Sequence, residues 1–250
     1  MGNPTSPLPL LSVVIPCYNE IGTINEIVYA VAHSPYPNIE IIIVDDCSND
    51  GTREKLKSQI AQLPEVSRVL YHDKNMGKGA ALRTGFAAAT GDILIVQDAD
   101  LEYDPIQYPL IIEPILQGKA DVVFGSRFMK GSAVYEYPKH KLVINRVANW
   151  LIKVLVGIKY NDFTNAFKMY QRHTIEGLKP FLSAHFNLTI ELPLKAIIRG
   201  YSFGILPNSW RNRKAGESNL KIKEMGSRYL FILLYILIEK YLSRNDYLKK

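Results

Sequence analysis

Short apolar runs alternate with helix-like segments along the first hundred residues of the chain. The runs LSVVIP, IEIIIVDD, SRVLYH and DILIVQD are continuously apolar, which is typical of strands covered on both faces. Helical patterns lie between them at about Ile21 to Ala32, at about Thr52 to Leu63 and in GKGAALRTGFAAA. This order predicts parallel strands joined by right-handed crossovers. We therefore expect an α/β fold with a Rossmann-like, mostly parallel sheet flanked by helices.

The second half of the chain has a less regular pattern. DVVFGSRF predicts a strand that leads into a polar loop, Met129 to Lys141. Helices are predicted from about Leu142 to Val156 and near Thr189 to Arg199, and YSFGILP reads as a strand. No internal repeat or low-complexity linker separates this half from the first. We therefore treat it as an extension of the same domain.

Polar residues follow each of the first four predicted strands. They form the segments PCYNE, DDCSNDGT, HDKNMGKG and QDADLEYD. In open α/β sheets, ligands bind at the carboxyl ends of the strands. Asn, Asp and Gly also make ordinary turns and helix caps, which is the alternative for any one of these loops. Four such loops in succession favour a binding crevice.

The acidic segment after the fourth strand suggests a metal site. Asp98 and Asp100 are two residues apart, which lets both carboxylates point to one side. Oxygen ligands favour Mg or Mn over zinc, and substrate phosphates usually complete the shell of such an ion. The alternative is a solvated turn in which Asp100 or Asp104 caps the helix that starts near Pro105.

The second and third loops carry further candidates for nucleotide binding. The carboxylate of Asp46 can accept a hydrogen bond from a nucleobase, while Asp50 and Thr52 are predicted to start the next helix. Lys78, between two glycines, can bind phosphate or be a surface lysine. GKGAALRTGF lacks the G-x-x-x-x-G-K-[ST] spacing, which disfavours a P-loop NTPase.

The net charge of +6 comes from the C-terminal part of the chain. Residues 207–250 hold ten Lys or Arg and four Asp or Glu, so the rest of the chain is balanced. A basic tail indicates an anionic partner. The two cysteines, Cys17 and Cys47, form no disulfide framework, and the N-terminus lacks the pattern of a secretory signal. We expect a cytoplasmic protein.

The tail contains an apolar run, Tyr229 to Ile238, that is too short for the ~20 residues of a spanning helix. Basic residues flank the run: Arg228, Lys240, Arg244, Lys249 and Lys250. This pattern predicts an amphipathic helix at an anionic membrane surface, so that the protein is peripheral on the cytoplasmic membrane face. Packing on the core or against a second copy is the alternative, and the sequence specifies no oligomeric state.

Together, VVIPCYNE, IIIVDDCSNDGT, NMGKGAALRTGF and ILIVQDADLEYDP resemble the successive signatures of family 2 inverting glycosyltransferases with the GT-A fold. Within that family the chain is most similar to the dolichyl-phosphate mannose synthases and the polyprenyl-phosphate glucosyltransferases. The resemblance covers Ser12 to about Gln171. It implies a GT-A domain over residues 1–223, with a nucleotide-sugar half at about 11–125, an acceptor half at about 126–223, and a membrane-interface helix and basic tail at 224–250.

The resemblance also assigns roles to individual residues. Nucleotide contacts are implied for Pro16, Tyr18, Glu20, Val44 and Asp46, with Lys78 close by. Asp98 and Asp100 would hold Mg or Mn, and Glu102 stands where the mannose synthases have a Gln that approaches the metal. Around the donor and acceptor phosphates the resemblance places Arg127, Arg146, Asn149, Arg213, Ser218 and Lys221. DFTNAFKMY departs from the family's usual D-x-T-S-G-F-R at Asn165, Ala166 and Lys168.

We therefore expect metal-dependent, inverting transfer of a hexose from a nucleotide sugar, of the GDP-mannose or UDP-glucose type, to a polyprenyl phosphate. An anionic phosphate acceptor needs no general base, whereas a saccharide hydroxyl does. Asp162 and Glu191 are candidate bases, with a helix-end cap and a solvated helix residue as their respective alternatives. A noncatalytic scaffold that binds nucleotide sugars is a third possibility. Nucleic-acid binding is disfavoured because aromatic stacking motifs are absent.

Overall fold

The structure is a computed structural model that describes residues 7–212, 222–243 and 246–249, without the side chains of residues 140, 141 and 222–225. Its strands are β1 (Leu11–Cys17), β2 (Ile39–Asp45), β3 (Val66–Tyr71), β4 (Ile93–Val96), β5 (Val122–Ser126), β6 (Ala133–Tyr135), β7 (Lys168–Gln171), β8 (Phe203–Pro207) and β9 (Ser209–Arg211). Its α-helices are α1 (Ile24–Ala32), α2 (Thr52–Ser58), α3 (Lys78–Ala88), α4 (Tyr108–Leu116), α5 (Lys139–Val156), α6 (Arg172–Gly177), α7 (Leu188–Ile198) and α8 (Ile222–Tyr241).

A seven-stranded sheet with the order β3-β2-β1-β4-β7-β5-β8 forms the centre of the protein. All neighbouring pairs are parallel except those of β7, which runs antiparallel to β4 and to β5. Alternate side chains of β1 enter different cores, with Val13 in one and Val14 in the other. Both faces of the sheet are therefore covered, which explains the continuous apolar runs.

The predicted α/β fold with a mostly parallel sheet is confirmed. The first helix begins at Ile24, three residues after the predicted start, because the carbonyl of Glu20 accepts from the N–H groups of Thr23 and Ile24 in a preceding turn. The prediction assigned no element to DFTNAFKMYQR, which contains β7 and the start of α6. Only four residues of β7 enter the sheet, too few for a pattern to separate a strand from a helix.

Helix α8 packs on the body of the protein through one face. Ile232 and Ile236 are fully buried in a core cluster shared with α5 and α7. Glu239, on the same face, forms a buried ion pair with Arg199. Its Oε1 lies 2.6 Å from Nε of Arg199. The opposite face of α8 stays exposed. The predicted domain division at residue 223 falls in the first turn of this helix and remains a prediction.

The last described residues fold back onto the sheet. Lys249 pairs with Asp121 at 2.8 Å between Nζ and Oδ2, and its N–H donates to the carbonyl of Arg199. Lys249 is thus engaged by the protein itself, and its role as a flanking charge at a membrane surface remains a prediction. Arg244 and Lys250 lie outside the described residues. Among the described residues, no helix is both long enough and apolar enough to span a bilayer.

Candidate active site

The loops after β1 and β2 are tied together at the carboxyl edge of the sheet. The N–H of Asn19 donates to Oγ of Ser48, and the N–H of Glu20 donates to Oγ1 of Thr52, at 3.0 and 2.9 Å. Asn19 and Cys47 have φ angles of 58° and 65°, a conformation that costs energy for non-glycine residues and clusters at functional sites. The predicted start of α2 is confirmed, since Oδ1 of Asp50 accepts from the N–H of Thr52.

The candidate nucleotide contacts lie at these two strand ends. Pro16 and Val44 are register partners on β1 and β2. Tyr18 and Glu20 follow in the next loop and are partly buried. Oε2 of Glu20 accepts from the hydroxyl of Thr23 at 2.7 Å. The sheet therefore brings all four together at one edge, and their contact with a nucleotide remains a prediction.

Asp46 has a structural role that the sequence did not indicate. Its Oδ1 accepts from the N–H of Met76 and lies 2.7 Å from Nδ1 of His72, and its Oδ2 accepts from the N–H of Gly77. Nε2 of His72 lies 2.9 Å from Oγ1 of Thr84. The carboxylate thus fixes the turn before α3, and a nucleobase would be its fourth partner.

The glycine turn of residues 77–79 packs tightly against the loop between α6 and α7. A Cβ atom on Gly77, whose φ is +92°, would lie 2.2 Å from Nδ1 of His185. On Gly79 it would lie 2.8 Å from the carbonyl oxygens of Ser183 and His185. These glycines allow the close approach that places Lys78 at the first residue of α3, next to the acidic turn.

Lys78 and Asp98 form an ion pair at the centre of the crevice. Nζ of Lys78 lies 2.5 Å from Oδ1 of Asp98, at contact distance but without hydrogen-bond alignment. Both side chains are mostly buried, with 14% and 13% of their surface exposed. The same Nζ lies 5.3 Å from the ring centroid of Phe186. Lys78 is therefore mostly buried beside the acidic turn and is not a solvated surface lysine, and its contact with a phosphate remains a prediction.

The side chain of Gln97 stabilises the conformation of the acidic turn through three hydrogen bonds. Its Nε2 donates to the carbonyls of Asp98 and Tyr103, and its Oε1 accepts from the hydroxyl of Tyr108. Leu101, within the turn, has a φ of 63°. Asp104 caps the short 3-10 helix from Pro105 to Gln107 by accepting from Ile106 N–H, as predicted. In the sequence, the only indication of this role is that Gln97 is a polar residue directly after an apolar strand.

Glu102 contacts a tryptophan on a neighbouring strand, and the metal role expected for it remains a prediction. Oε2 of Glu102 accepts from Nε1 of Trp210 on β9 at 2.9 Å. Oδ1 of Asp100, which is 6% exposed, accepts from the N–H of Glu102. Among the described residues no group of three His, Cys, Asp or Glu side chains is placed to hold a metal. The binding of a metal by Asp98 and Asp100 remains a prediction, and it requires further ligands from a substrate.

Arg127 is committed to a buried ion pair rather than open to the crevice. Its Nε and Nη2 donate to the two oxygens of Asp162 at 2.9 and 2.7 Å, and its N–H donates to Oδ2. Asp162 is fully buried, so its interpretation as a helix-end cap is wrong and it does not serve as an accessible base. The pair fixes the segment after β5 to the segment before β7, and the phosphate contact of Arg127 remains a prediction.

The other predicted cationic and polar positions differ in their surroundings. Arg146 is exposed, with its guanidinium 5.3 Å from the ring centroid of Phe128. Asn149 is buried and donates to Thr164 and Asn145. Arg213, Ser218 and Lys221 lie outside the described residues, so their assignments remain predictions.

Glu191 is also structural. It is fully buried and accepts from the N–H groups of Leu182 and Ser183 and from Nζ of Lys195. The interpretation as a solvated helix residue is therefore wrong. Because the carboxylate already has three donors and no exposed surface, it is not placed to take a proton from an acceptor.

Lys168, one of the departures from the family pattern, ties the acceptor half together. Its Nζ donates to the carbonyls of Phe163, Asn165 and Thr189, which joins the segment before β7 to α7. Only 2% of the residue is exposed. Burial, partly opposed by the charge of Asp162, lowers the pKa of Lys168 from 10.5 to about 7.

Comparison with known proteins identifies the class of protein that this fold and site define. The family model "Glycosyl transferase family 2" matches residues 12–179. The polyprenol monophosphomannose synthase of Mycolicibacterium smegmatis is 30% identical over 83% of this chain and 80% of its own length. The chain therefore belongs to glycosyl transferase family 2 and is a glycosyltransferase.

Other relatives support the same assignment. The dolichol-phosphate mannosyltransferase of Pyrococcus furiosus is 32% identical over 85% of this chain, but the chain spans only 60% of that protein. Glucosyl-3-phosphoglycerate synthase of Mycobacterium tuberculosis, solved with Mn²⁺, UDP and glucosyl-3-phosphoglycerate, has a TM-score of 0.68 at 20% identity, over 97% of this chain and 82% of that chain. Its complex with Mg²⁺ and UDP gives 0.67, with 97% and 81% coverage. These likenesses confirm the GT-A fold.

We predict that Lys168 makes stability depend on pH above neutrality. Since its folded pKa of about 7 lies below 10.5, unfolding takes up a proton between these values, and stability rises with pH across that window. The free energy of unfolding of the wild type, relative to Lys168→Met, should rise with a slope approaching about 1.4 kcal/mol per pH unit. Lys168→Arg, which stays charged, should show no such rise. Urea unfolding from pH 6 to 10 measures this, and a constant difference would contradict it.

Proposed function

We propose that this enzyme transfers a hexose, with inversion, from a nucleoside-diphosphate sugar to a polyprenyl phosphate, assisted by Mg or Mn. The observation that carries the proposal is the meeting of Asp98, Asp100 and Lys78 at the carboxyl edge of the sheet. The polyprenol and dolichol substrates in the names of its relatives support the acceptor class.

The chemistry of the carboxylate pair supports a hard divalent cation. Oδ1 of Asp98 is buried and has no hydrogen-bond donor within the described part of the chain, although Lys78 lies against it. A buried carboxylate oxygen without a hydrogen-bond donor can bind a cation in addition to its contact with Lys78. When bound, the cation would stabilise the negative charge that develops on the leaving diphosphate. The residues Asp98 and Asp100 would hold it.

The surrounding residues position the donor. The tied loops after β1 and β2 fix the nucleotide edge of the crevice, and the turn anchored by Asp46 fixes Lys78 at its phosphate edge. A rigid arrangement of this kind lowers the entropic cost of aligning donor and acceptor. Lys78 is placed to offer its charge to the diphosphate once a substrate competes for it.

The fate of the two candidate bases supports a phosphate acceptor. Asp162 is paired with Arg127, and Glu191 is bonded to two backbone N–H groups and Lys195. Transfer to a saccharide hydroxyl requires a base, whereas a phosphate oxygen is already anionic at neutral pH. We therefore favour the lipid phosphate over a saccharide hydroxyl. The noncatalytic scaffold has no supporting observation in this glycosyltransferase.

We further propose that the protein docks on an anionic membrane through a combined face of α5 and α8. The two helices pack together, and Nζ of Lys240 donates to the carbonyl of Val156. Large apolar side chains on their outer surfaces are exposed: Val143, Ile144, Val147, Trp150, Leu151, Val154 and Leu155 on α5, and Leu230, Phe231, Leu234, Ile238 and Tyr241 on α8. Exposed large apolar side chains on two adjacent helices are typical of an interaction site.

The charges around this face favour a bilayer as its occupant. Residues 139–156 contain Lys and Arg but no Asp or Glu, and in residues 226–241 the single acidic residue is Glu239, which is buried against Arg199. Cations beside an apolar surface are typical of helices that lie at anionic headgroups. Packing of α8 on the core and docking of α8 on a membrane are thus compatible, since one face of the helix is buried and the other is exposed.

Transfer should depend on Asp100. Purified protein with Mg or Mn would be incubated with GDP-mannose, UDP-glucose or UDP-N-acetylglucosamine and a polyprenyl phosphate, and the glycolipid measured by mass spectrometry. We expect one donor to react and Asp100→Asn to lower kcat/KM by at least about a hundredfold. The control Asp104→Asn removes a carboxylate from the same turn but keeps a side chain that can cap the helix, and it should stay active. A saccharide product without glycolipid would contradict the proposed acceptor, and an active Asp100→Asn would contradict the metal site.

Membrane binding should depend on the apolar face. Trp150, which is 60% exposed on α5, can be changed to Asp with little effect on folding. We expect Trp150→Asp to reduce flotation with vesicles of phosphatidylcholine and phosphatidylglycerol about tenfold, since it places a charge in the interface. Tyr29→Asp on α1, where Tyr29 is 65% exposed, is the matched control. Equal flotation of both variants, or a dimer that Trp150→Asp dissociates, would contradict the membrane face.

A further inference from the structure

Glu191 and Lys195, on α7, fasten the start of the loop between α6 and α7. Oε1 of Glu191 accepts from the N–H of Leu182 at 2.9 Å, and its Oε2 accepts from the N–H of Ser183 at 2.8 Å. Nζ of Lys195 lies 2.6 Å from Oε1 of Glu191 and also donates to the carbonyl of Pro180. The backbone of this loop is therefore bonded directly to two charged side chains of the helix.

The ion pair between Glu191 and Lys195 is closed to water. Neither side chain has any exposed surface, and the ring of Tyr235 on α8 lies 5.2 Å from Nζ of Lys195. A buried carboxylate that loses its charge leaves its donors without a full partner, which costs free energy. The loop is thus held in one position on α7.

The same loop packs on the first turn of α3. The carbonyl of Ala184 accepts from the N–H of Ala80 at 2.9 Å. A Cβ atom on Gly79 would lie 2.8 Å from the carbonyl oxygen of Ser183, so no larger residue fits between the two segments. Ser183 is the residue whose N–H donates to Glu191, and Ala184 follows it directly. The carboxylate on α7 therefore fixes the loop within one residue of its hydrogen bond to α3.

This packing places the side chain of Lys78. Lys78 is the first residue of α3, and its Nζ lies 2.5 Å from Oδ1 of Asp98 and 5.3 Å from the ring centroid of Phe186, which belongs to the same loop. A free lysine side chain samples many rotamers. A defined position for its ammonium group therefore requires that α3 and Phe186 be held in place. The contacts from Glu191 to Lys78 are continuous.

We infer that Glu191 is a positioning residue, which sets the place of Lys78 for the diphosphate of the donor through the loop between α6 and α7. The inference rests on the proposed function, because it concerns the phosphate edge of the same site. Glu191 contacts no substrate itself. Its buried charge holds the loop, the loop holds the glycine turn, and the glycine turn presents Lys78.

Nucleotide binding to the full chain tests this role. UDP or GDP, whichever the wild type binds more tightly, and the matching nucleoside monophosphate would be titrated by calorimetry with Mn²⁺ present. We expect Glu191→Gln to weaken the diphosphate about tenfold and the monophosphate less than about twofold, because the monophosphate lacks the phosphate that Lys78 is placed to bind. In a Lys78→Met background, Glu191→Gln should have no further effect on the diphosphate.

Glu40→Gln is the matched control. Glu40 is also a buried carboxylate that accepts from two backbone N–H groups, those of Thr90 and Gly91, but it lies near the amino end of β2, at the opposite edge of the sheet from the crevice. Its variant should lower the stability of the fold and leave the binding of both nucleotides unchanged. If Glu191→Gln does not fold, its combination with Lys195→Met, which removes both buried charges, takes its place.

Hydrogen exchange measures the glycine turn without any nucleotide. In the free protein, the amides of residues 77–81 should exchange at least about tenfold faster in Glu191→Gln than in the wild type, and at the wild-type rate in Glu40→Gln. Unchanged exchange in folded Glu191→Gln overturns the inference. Equal weakening of the diphosphate and the monophosphate also overturns it, as does a full additional loss in the Lys78→Met background.

These measurements separate the inference from the proposed function. If the wild type binds neither nucleotide, the proposed function fails, and the exchange measurement still decides whether Glu191 positions the turn that carries Lys78. In an active enzyme, Glu191→Gln should raise KM for the donor about tenfold and leave KM for the lipid unchanged. An equal rise of both KM values would contradict a role at the phosphate edge.

Discussion

The compensation of negative charge at the carboxyl edge of the sheet is the constraint on which the rest of the site depends. β4 is followed by Asp98 and Asp100, two carboxylates with little exposure to water. Such groups are stable only beside positive charge. In the free protein Lys78 supplies it to Asp98, and the glycine turn, the anchor at Asp46 and the packed loop before α7 hold Lys78 there. When a diphosphate binds with a divalent cation, the cation would compensate the two carboxylates and Lys78 would compensate the diphosphate.

The sequence predicted the parts of the fold that repeat a simple physical pattern. Buried parallel strands produce apolar runs, and their carboxyl ends meet at one edge, so the candidate crevice followed from LSVVIP, IEIIIVDD and DILIVQD alone. β7 was not predicted, because four residues carry no distinguishable period and their place between β4 and β5 depends on long-range pairing. Tertiary pairing of this kind is invisible to a local pattern.

The partners of charged side chains were the least predictable feature. Arg127 and Asp162 are 35 residues apart in sequence, and each resembled a functional residue until the fold paired them. Glu191 and Lys195 are one turn apart on α7, but nothing local indicates that their helix is buried on that side. Conversely, His72 and Gln97 support the site through contacts that no motif marks. Motif residues predict the location of the chemistry, and packing decides which of them are already paired with other side chains.

The central claim is that Asp98 and Asp100 bind a divalent cation together with a nucleoside diphosphate. Electron paramagnetic resonance of free Mn²⁺, titrated with protein in the presence and absence of UDP or GDP, measures it directly. Because two carboxylates need phosphate oxygens to complete the shell, the account predicts that Mn²⁺ binds at least tenfold more tightly with the matching nucleotide, and that Asp98→Asn or Asp100→Asn removes this gain. Mn²⁺ binding that is equal without nucleotide, or unchanged in both variants, would contradict the account.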